Sequence, residues 1–482
     1  MELSLTKRRM TMAVMALAAS LSTAIAQTGT IRVVTLDSCK AMALHNNKTL
    51  SAAKVKEQAA RNIRKSTRTK YLPRVQAIGA YMHTSKQISI LSDEQKQHFS
   101  NLGTGAQQII GIQNPMMNTI AGLLNAEGKG IVDAFNTDTR DVFGATVMMV
   151  QPIFMGGSII AANRIADLSE EMASNSTDAT RQSILFQTEE TYWMVVSLAH
   201  KRRLASSYLD LLKKLDSDVK KLIREGIATK AEGLHVAVKV NEAEMTLAQV
   251  EDGLSLSRML LCQLCGWPLD KPMTLAEENV DLISIPISET SGYTVSTAET
   301  TRPELRMLQN AVDISRQQTR LLKAGNLPKM ALVGGYSVSN PNLFNGFQKE
   351  FAGLWNVGVM LSVPLWNWGD VAYKVRASKN ATTIAQLELS EAREKVELQV
   401  NQNQFKNQEA MRKLTLADHS CRHAEENLRC ANLGFQEGVV PATTVMEAQT
   451  AWLNAKTQKI DAEIAIRLSE TGLKKALGIL EE

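Results

Sequence analysis

His419, Cys421, His423 and Cys430 crowd into one short stretch and are of the types that bind soft metal ions. On a helix His419 and His423 share a face at i, i+4, so two imidazoles would reach one ion. Two ligands do not complete a tetrahedral shell, and neither a metal site nor a catalytic site is expected there. Cys262 and Cys265 have C-x-x-C spacing, but they fall in a helical pattern with no second pair beside them. Structural packing is the expectation, because a free cysteine behaves as a small hydrophobe. Cys39 brings the count to five, an odd number that sets up no disulfide framework. The 21 methionines are scattered through apolar stretches, which favours core packing over copper export. No H-E-x-x-H, G-x-S-x-G, P-loop or G-x-G-x-x-G string occurs, so hydrolase, NTPase and dinucleotide chemistry have no support. These residues describe a protein that is not an enzyme and uses no cofactor.

The chain has 482 residues, with 54 Lys+Arg against 49 Asp+Glu and a net charge of +5. That balance is too mild for a nucleic-acid binder. Only 27 glycines, 11 prolines and 5% aromatics disfavour an all-β sandwich, a collagen-like chain or a disordered tail, and suit long helices. Residues 1–26 read as a secretory signal peptide. Lys7-Arg8-Arg9 form its basic start, Met10 to Ala19 its apolar run, and Ala24-Ile25-Ala26 its cleavage signal, leaving Gln27 first. The run is shorter than the roughly 20 residues a spanning helix needs. No later stretch is apolar for long enough, so a mature protein held in a membrane needs a β-barrel or an amphipathic surface.

An internal repeat runs through the rest. Leu50, Leu72-Pro73, Gly79 and Tyr81 match Leu305, Leu327-Pro328, Gly334 and Tyr336 at one constant offset. Val147, Pro152, Phe154, Gly157, Glu225-Gly226 and Gly266 match Val359, Pro364, Trp366, Gly369, Glu437-Gly438 and Gly478 at a second, shorter one. The whole difference falls between Tyr81 and Val147, where the first half carries an extra stretch. That stretch, with Gly103-Thr104-Gly105, reads as a long outer loop. The expected organisation is a first repeat over 27–267, an insert over 268–301 and a second repeat over 302–482.

Each half reads helix, strand, loop, strand, long helix, turn, helix. Strands are expected at about 74–83 and 141–151, then at 329–337 and 354–363, the second of each pair ending at Pro152 or Pro364. Trp355, Val357, Val359, Leu361 and Val363 alternate with Asn356, Gly358, Met360 and Ser362; Phe143, Ala145, Val147 and Met149 alternate with Gly144, Thr146 and Met148. Such alternation suits a half-buried soluble strand or a tilted membrane strand with one face to lipid. From Gly157 to Gly226, and again from Gly369 to Gly438, no proline interrupts a run that would span on the order of 100 Å as helix. Val236, Val240, Ala243, Leu247, Val250, Leu254, Ser257, Leu261 and Leu264 then step by four and three, the mark of coiled-coil-like packing. Four strands cannot close a barrel, and small membrane barrels need about eight. If these strands are transmembrane, several chains must share one barrel, continued by a ring of helices.

This order of pieces resembles the TolC family of outer-membrane efflux and secretion channels. The matching pieces are Asn46-Asn47-Lys48-Thr49-Leu50, Tyr71-Leu72-Pro73 and Gln151-Pro152-Ile153-Phe154-Met155-Gly156-Gly157, with second copies at Arg302-Pro303-Glu304-Leu305, Leu327-Pro328 and Val363-Pro364-Leu365-Trp366-Asn367-Trp368-Gly369. The resemblance covers nearly the whole chain after residue 26. It implies a mostly α protein with a small transmembrane β part. Its tandem structural repeat would give a trimeric twelve-stranded β-barrel continued by a long α-helical periplasmic barrel. The implied function is a passive exit duct of a tripartite efflux pump or type I secretion system. The implied partners are two further copies of the chain, outer-membrane lipid, a periplasmic adaptor and an inner-membrane transporter, with no nucleic acid.

The resemblance also assigns residues. Arg224, Glu225 and Gly226, with Gln436, Glu437 and Gly438, correspond to the periplasmic tips that adaptor hairpins engage. The family places acidic residues six and nine positions beyond the second tip glycine, lining the closed aperture; here those positions hold Thr444 and Glu447. Three copies of Glu447 would make an anionic ring that attracts cations. The plain alternative for Glu447 is a solvated helix-surface carboxylate. For the whole chain it is a periplasmic coiled-coil scaffold that conducts nothing.

Overall fold

A computed structural model describes residues 32–85, 91–111, 114–135, 140–280, 295–342 and 349–480. The expected signal peptide and much of the 268–301 insert lie outside the described residues. Six strands occur among those described: β1 (Arg32–Val34), β2 (Arg74–His83), β3 (Asp141–Met155), β4 (Met273–Leu275), β5 (Lys329–Asn340) and β6 (Ala352–Ser362). The chain divides into a helical unit, Met1–Gln58, Glu171–Gln309 and Leu387–Glu482, and a sheet unit, Ala59–Glu170 and Asn310–Gln386.

The helical unit is built from the helices Leu36–Asn46, Lys230–Cys265 and Ala442–Leu477 and from most of Ser158–Arg224 and Asp370–Gln436. The last two contain 67 residues each, and the helices that follow them contain 36 each. Rods of this length are held by packing rather than by propensity. The 3.5-residue stripe is their buried side: Val236, Ala243, Leu254, Ser257, Leu261 and Leu264 are buried, as are Ala448, Ala455, Ala462, Ile466, Leu473 and Ala476. Alanine at the second set of positions lets backbones come close. Lys459, which falls between Ala455 and Ala462 at the same four-and-three spacing, makes a 2.7 Å ion pair to Asp418. One core surrounds Tyr192, Val195, Val196, Leu261 and Cys265 beside β1 and β4, which pair in parallel. Another joins Leu212, Leu215 and Val219 to Val236, Val445 and Met446.

The sheet unit holds a four-stranded antiparallel sheet in the order β2-β3-β5-β6. β3 does not stop at Pro152. It runs on to Met155, with a register shift between Pro152 and Phe154 that leaves Ile153 without a partner in the ladder.

The extra stretch between β2 and β3 corrects the expectation of a loop. Its described residues form three helices, Asp93–Ser100, Leu102–Ile110 and Pro115–Ala134. A capping box of Ser92 and Gln95 starts the first, and Pro115 occupies the opening turn of the third. The glycines that suggested a loop serve close packing instead. A Cβ on Gly103 would lie 2.0 Å from the Ala121 carbonyl oxygen, and one on Gly128 would lie 1.8 Å from that of Phe99. Asn125 locks the contact, accepting from the Gly103 amide at 2.8 Å and donating to the Thr104 hydroxyl at 2.8 Å.

Candidate functional site

Pairing register sorts the four-stranded sheet into two faces. On one face three consecutive rows cross all strands: Gly79–Ala145–Val338–Gly353, Ala77–Val147–Tyr336–Trp355 and Val75–Met149–Gly334–Val357. The only side-chain polar atoms in those rows are the Tyr336 hydroxyl and the Trp355 indole N–H. The opposite face carries Gln76, Thr146, Ser337 and Asn356 among small and apolar residues, and the Thr146 and Ser337 hydroxyls lie 3.0 Å apart. The apolar face is bare: Val75 is 66%, Trp355 73% and Val357 68% exposed. A continuous apolar face of this kind marks a partner or a lipid phase rather than water.

Aromatic rings bracket it. At the end of the sheet nearer the β2–β3 connection, the rings of Tyr81 and Phe143 are 4.8 Å apart and Phe351 follows at 6.3 Å. Beyond the far end of β6, Trp366 and Trp368 meet edge to face at 5.8 Å. Paired aromatic girdles around an apolar band belong to strands that cross a bilayer. Among the described residues β2 and β6 each have a neighbour on one side only, so each leaves a row of backbone donors and acceptors without a sheet partner there. Such edges cannot be left in lipid.

In the helical unit, the residues assigned to the tips sit at two similar turns. Arg224 ends one helix, and Gly226 adopts φ +75°, the left-handed conformation that glycine accepts without strain. The amides of Ile227 and Ala228 then both donate to the Leu222 carbonyl. The Gln436-Glu437-Gly438 turn repeats this, with Gly438 at φ +72° and the amides of Val439 and Val440 donating to Gly434. A capping box of Thr229 and Glu232 opens the helix after the first turn; Pro441 opens the second without a side-chain cap. Each turn raises one apolar side chain into solvent, Ile227 at 73% and Val439 at 77% exposure. Sequence reasoning passed over this pair, although the glycine followed at once by a β-branched residue was visible.

Thr444 is half-buried in the first turn of Ala442–Leu477. Glu447 is exposed between the buried pairs Val445-Met446 and Ala448-Gln449. The packing therefore turns this one carboxylate away from the core, and no described residue bonds to it. The helices carrying these groups are cross-tied. Asp418 accepts from Lys459 and from Arg422, each at 2.7 Å, and Lys456 pairs with Glu425. The hydrogen bond from Lys459 holds the Asp418 carboxyl below the usual carboxylate range.

The His/Cys stretch does not assemble into a cluster. His419, His423 and Cys430 are exposed while Cys421 is buried on a different side of the same helix. Cys421 Sγ lies 3.8 Å from Glu425, and Cys430 Sγ lies 3.6 Å from Glu426. Among the described residues no group of three or more His, Cys, Asp or Glu is placed to hold a metal ion.

Comparisons with known proteins agree with this geometry. The family model described as "Outer membrane efflux protein" matches residues 41–266 and 294–479. The outer membrane protein TolC of Vibrio cholerae is 21% identical over 352 residues, covering 71% of this chain and 78% of that protein. The pyoverdine export outer membrane protein OpmQ of Pseudomonas aeruginosa is 22% identical over 374 residues, 76% of this chain and 77% of its own. Among solved structures, the outer membrane protein VceC of Vibrio cholerae superposes with a TM-score of 0.71 at 16% identity, covering 92% of this chain and 96% of that one.

Proposed function

This chain belongs to the outer membrane efflux protein family, the TolC-like channels of the outer membrane, and we propose that three copies of it form a passive exit duct. The observation that carries the proposal is the sheet. Its predominantly apolar face suits lipid, and its two open edges require strands from elsewhere. Pairing β6 of one copy with β2 of the next supplies them. With four strands per chain, three copies make a closed twelve-stranded barrel. A scaffold in water gains nothing from an exposed Trp355–Val357 face.

The long helices then continue the duct into the periplasm. Solutes or polypeptide enter from an inner-membrane transporter through a periplasmic adaptor. The adaptor engages the Arg224-Glu225-Gly226 and Gln436-Glu437-Gly438 tips, where Ile227 and Val439 offer apolar anchors. The chain performs no chemistry on its cargo. Three Glu447 carboxylates ring the aperture and favour cations, since charge in a narrow mouth is poorly screened. Incorporating the detergent-extracted protein into a planar bilayer tests the reading. It predicts discrete, cation-preferring conductance; a film that stays electrically silent at saturating protein would refute it.

A further inference from the structure

Arg74 opens β2 and Lys329 opens β5, each directly after one of the matched pairs Leu72-Pro73 and Leu327-Pro328. Register places both on the face opposite the apolar rows. Arg74 lies two residues before Gln76, and Lys329 lies eight before Ser337 in a β5–β6 ladder without a shift. Side chains alternate between faces along a strand, so an even separation keeps each cation beside its polar neighbour. Lys329 pairs with Met155 and with Ser362, the last residues of β3 and β6, so this is the end of the sheet from which the long helices continue.

Both side chains are exposed, and among the described residues none forms an ion pair or a hydrogen bond with either. The other charge-bearing residues of the four strands, His83 and Asp141, meet at 2.7 Å on the face of the apolar rows, at the opposite end of the sheet. The strand face that holds Arg74 and Lys329 therefore carries positive charge and no carboxylate.

We propose that Arg74 and Lys329 form a cationic zone inside the barrel that binds polyanionic solutes in transit, molecules bearing several carboxylate, sulfate or phosphate groups. The inference rests on the shared barrel proposed above, in which three copies contribute two cations each. On the lipid face such side chains would snorkel to headgroups; on this face their partners are water and cargo. A twelve-stranded barrel is wider than an eight-stranded one, which side chains fill, so its bore holds water. Salt screens the zone over about 8–10 Å, so it acts on multivalent anions that pass close to the wall. Small-ion preference is set instead at the narrow mouth, by Glu447. The two charged zones thus differ in sign and in task.

The test records single channels of the trimer in a planar bilayer. Sulfated cyclodextrin is added to the chamber facing the barrel, with neutral cyclodextrin as the control. The sulfated ring should interrupt the current and the neutral one should not, and interruptions should become rarer at high salt. In Arg74→Gln/Lys329→Gln their frequency should fall about tenfold or more, the scale expected when steering charges are lost. Arg74→Lys/Lys329→Arg should retain it. Equal interruption by the two sugars in the natural channel would overturn the proposal, and so would an equal frequency in the natural and doubly neutral channels. A film that never conducts would instead refute the duct itself, and the zone with it.

Discussion

Ala77 on β2 and Trp355 on β6 lie in one row of the same sheet, joined through Val147 and Tyr336, and occupy its two opposite edges. In the proposed barrel that relationship makes the sheet a segment of a shared wall, and it sorts the neighbouring side chains into a lipid face and a lumen face.

The assignment is tested by one charge placed on either side. Val357→Lys puts an ammonium on the apolar face, where it should cost about 2–4 kcal/mol if that face meets the bilayer midplane. Asn356→Lys, one residue earlier, points to the other face and should leave assembly intact while lowering cation preference. Heat-resistant oligomer on gels and yield in the outer membrane read the first effect; reversal potential reads the second. Equal yields for the two variants would contradict the two-faced sheet.

The helices between β2 and β3 depend on backbone contact at Gly128. Gly128→Ala should force the Pro115–Ala134 helix off Phe99 at a cost of about 1–3 kcal/mol. Gly130→Ala meets nothing within 4 Å and should stabilise the same helix by up to about 1 kcal/mol. Limited proteolysis of intact cells should cut the first variant faster and the second no faster than the natural protein.

Much of this architecture was legible in the residues, and the misses have physical causes. The order of Leu72-Pro73, the Pro152–Gly157 corner and its partner near Pro364 identified the family. The 3.5-residue stripe from Val236 to Leu264 identified a buried face. Pro152 was read as the end of β3 because proline removes a ladder bond; pairing resumes beyond a bulge at Ile153. Gly103 looked like a loop residue because its use depends on Ala121, a neighbour that local spacing does not reveal. In the His/Cys stretch, where no site was expected, residues close in sequence divide between a buried Cys421 and the exposed His419, His423 and Cys430.

Glu447 is the exposed residue in an otherwise buried turn. Glu447→Gln keeps its shape and would remove three negative charges from the aperture of the proposed trimer. Cation-over-anion permeability should fall several-fold, more at low salt than at high, because screening weakens the ring. An unchanged reversal potential across a salt gradient would remove Glu447 from the aperture.

Asp418 links stability to pH. Its folded pKa lies below its ordinary value, so its pair with Lys459 stabilises the folded chain at pH values above that ordinary value of roughly 3.9. The contribution is lost as pH falls through the depressed folded pKa. Asp418→Asn should therefore lower Tm at neutral pH and converge with the natural protein in strong acid. Parallel Tm curves across the whole range would contradict the linkage.

The most direct test of the shared wall is to count chains in the detergent-extracted particle by native mass spectrometry and to record from the same preparation in a planar bilayer. The account predicts three chains per particle and discrete ion-conducting steps. A single chain that stays soluble without detergent and carries no current would contradict it.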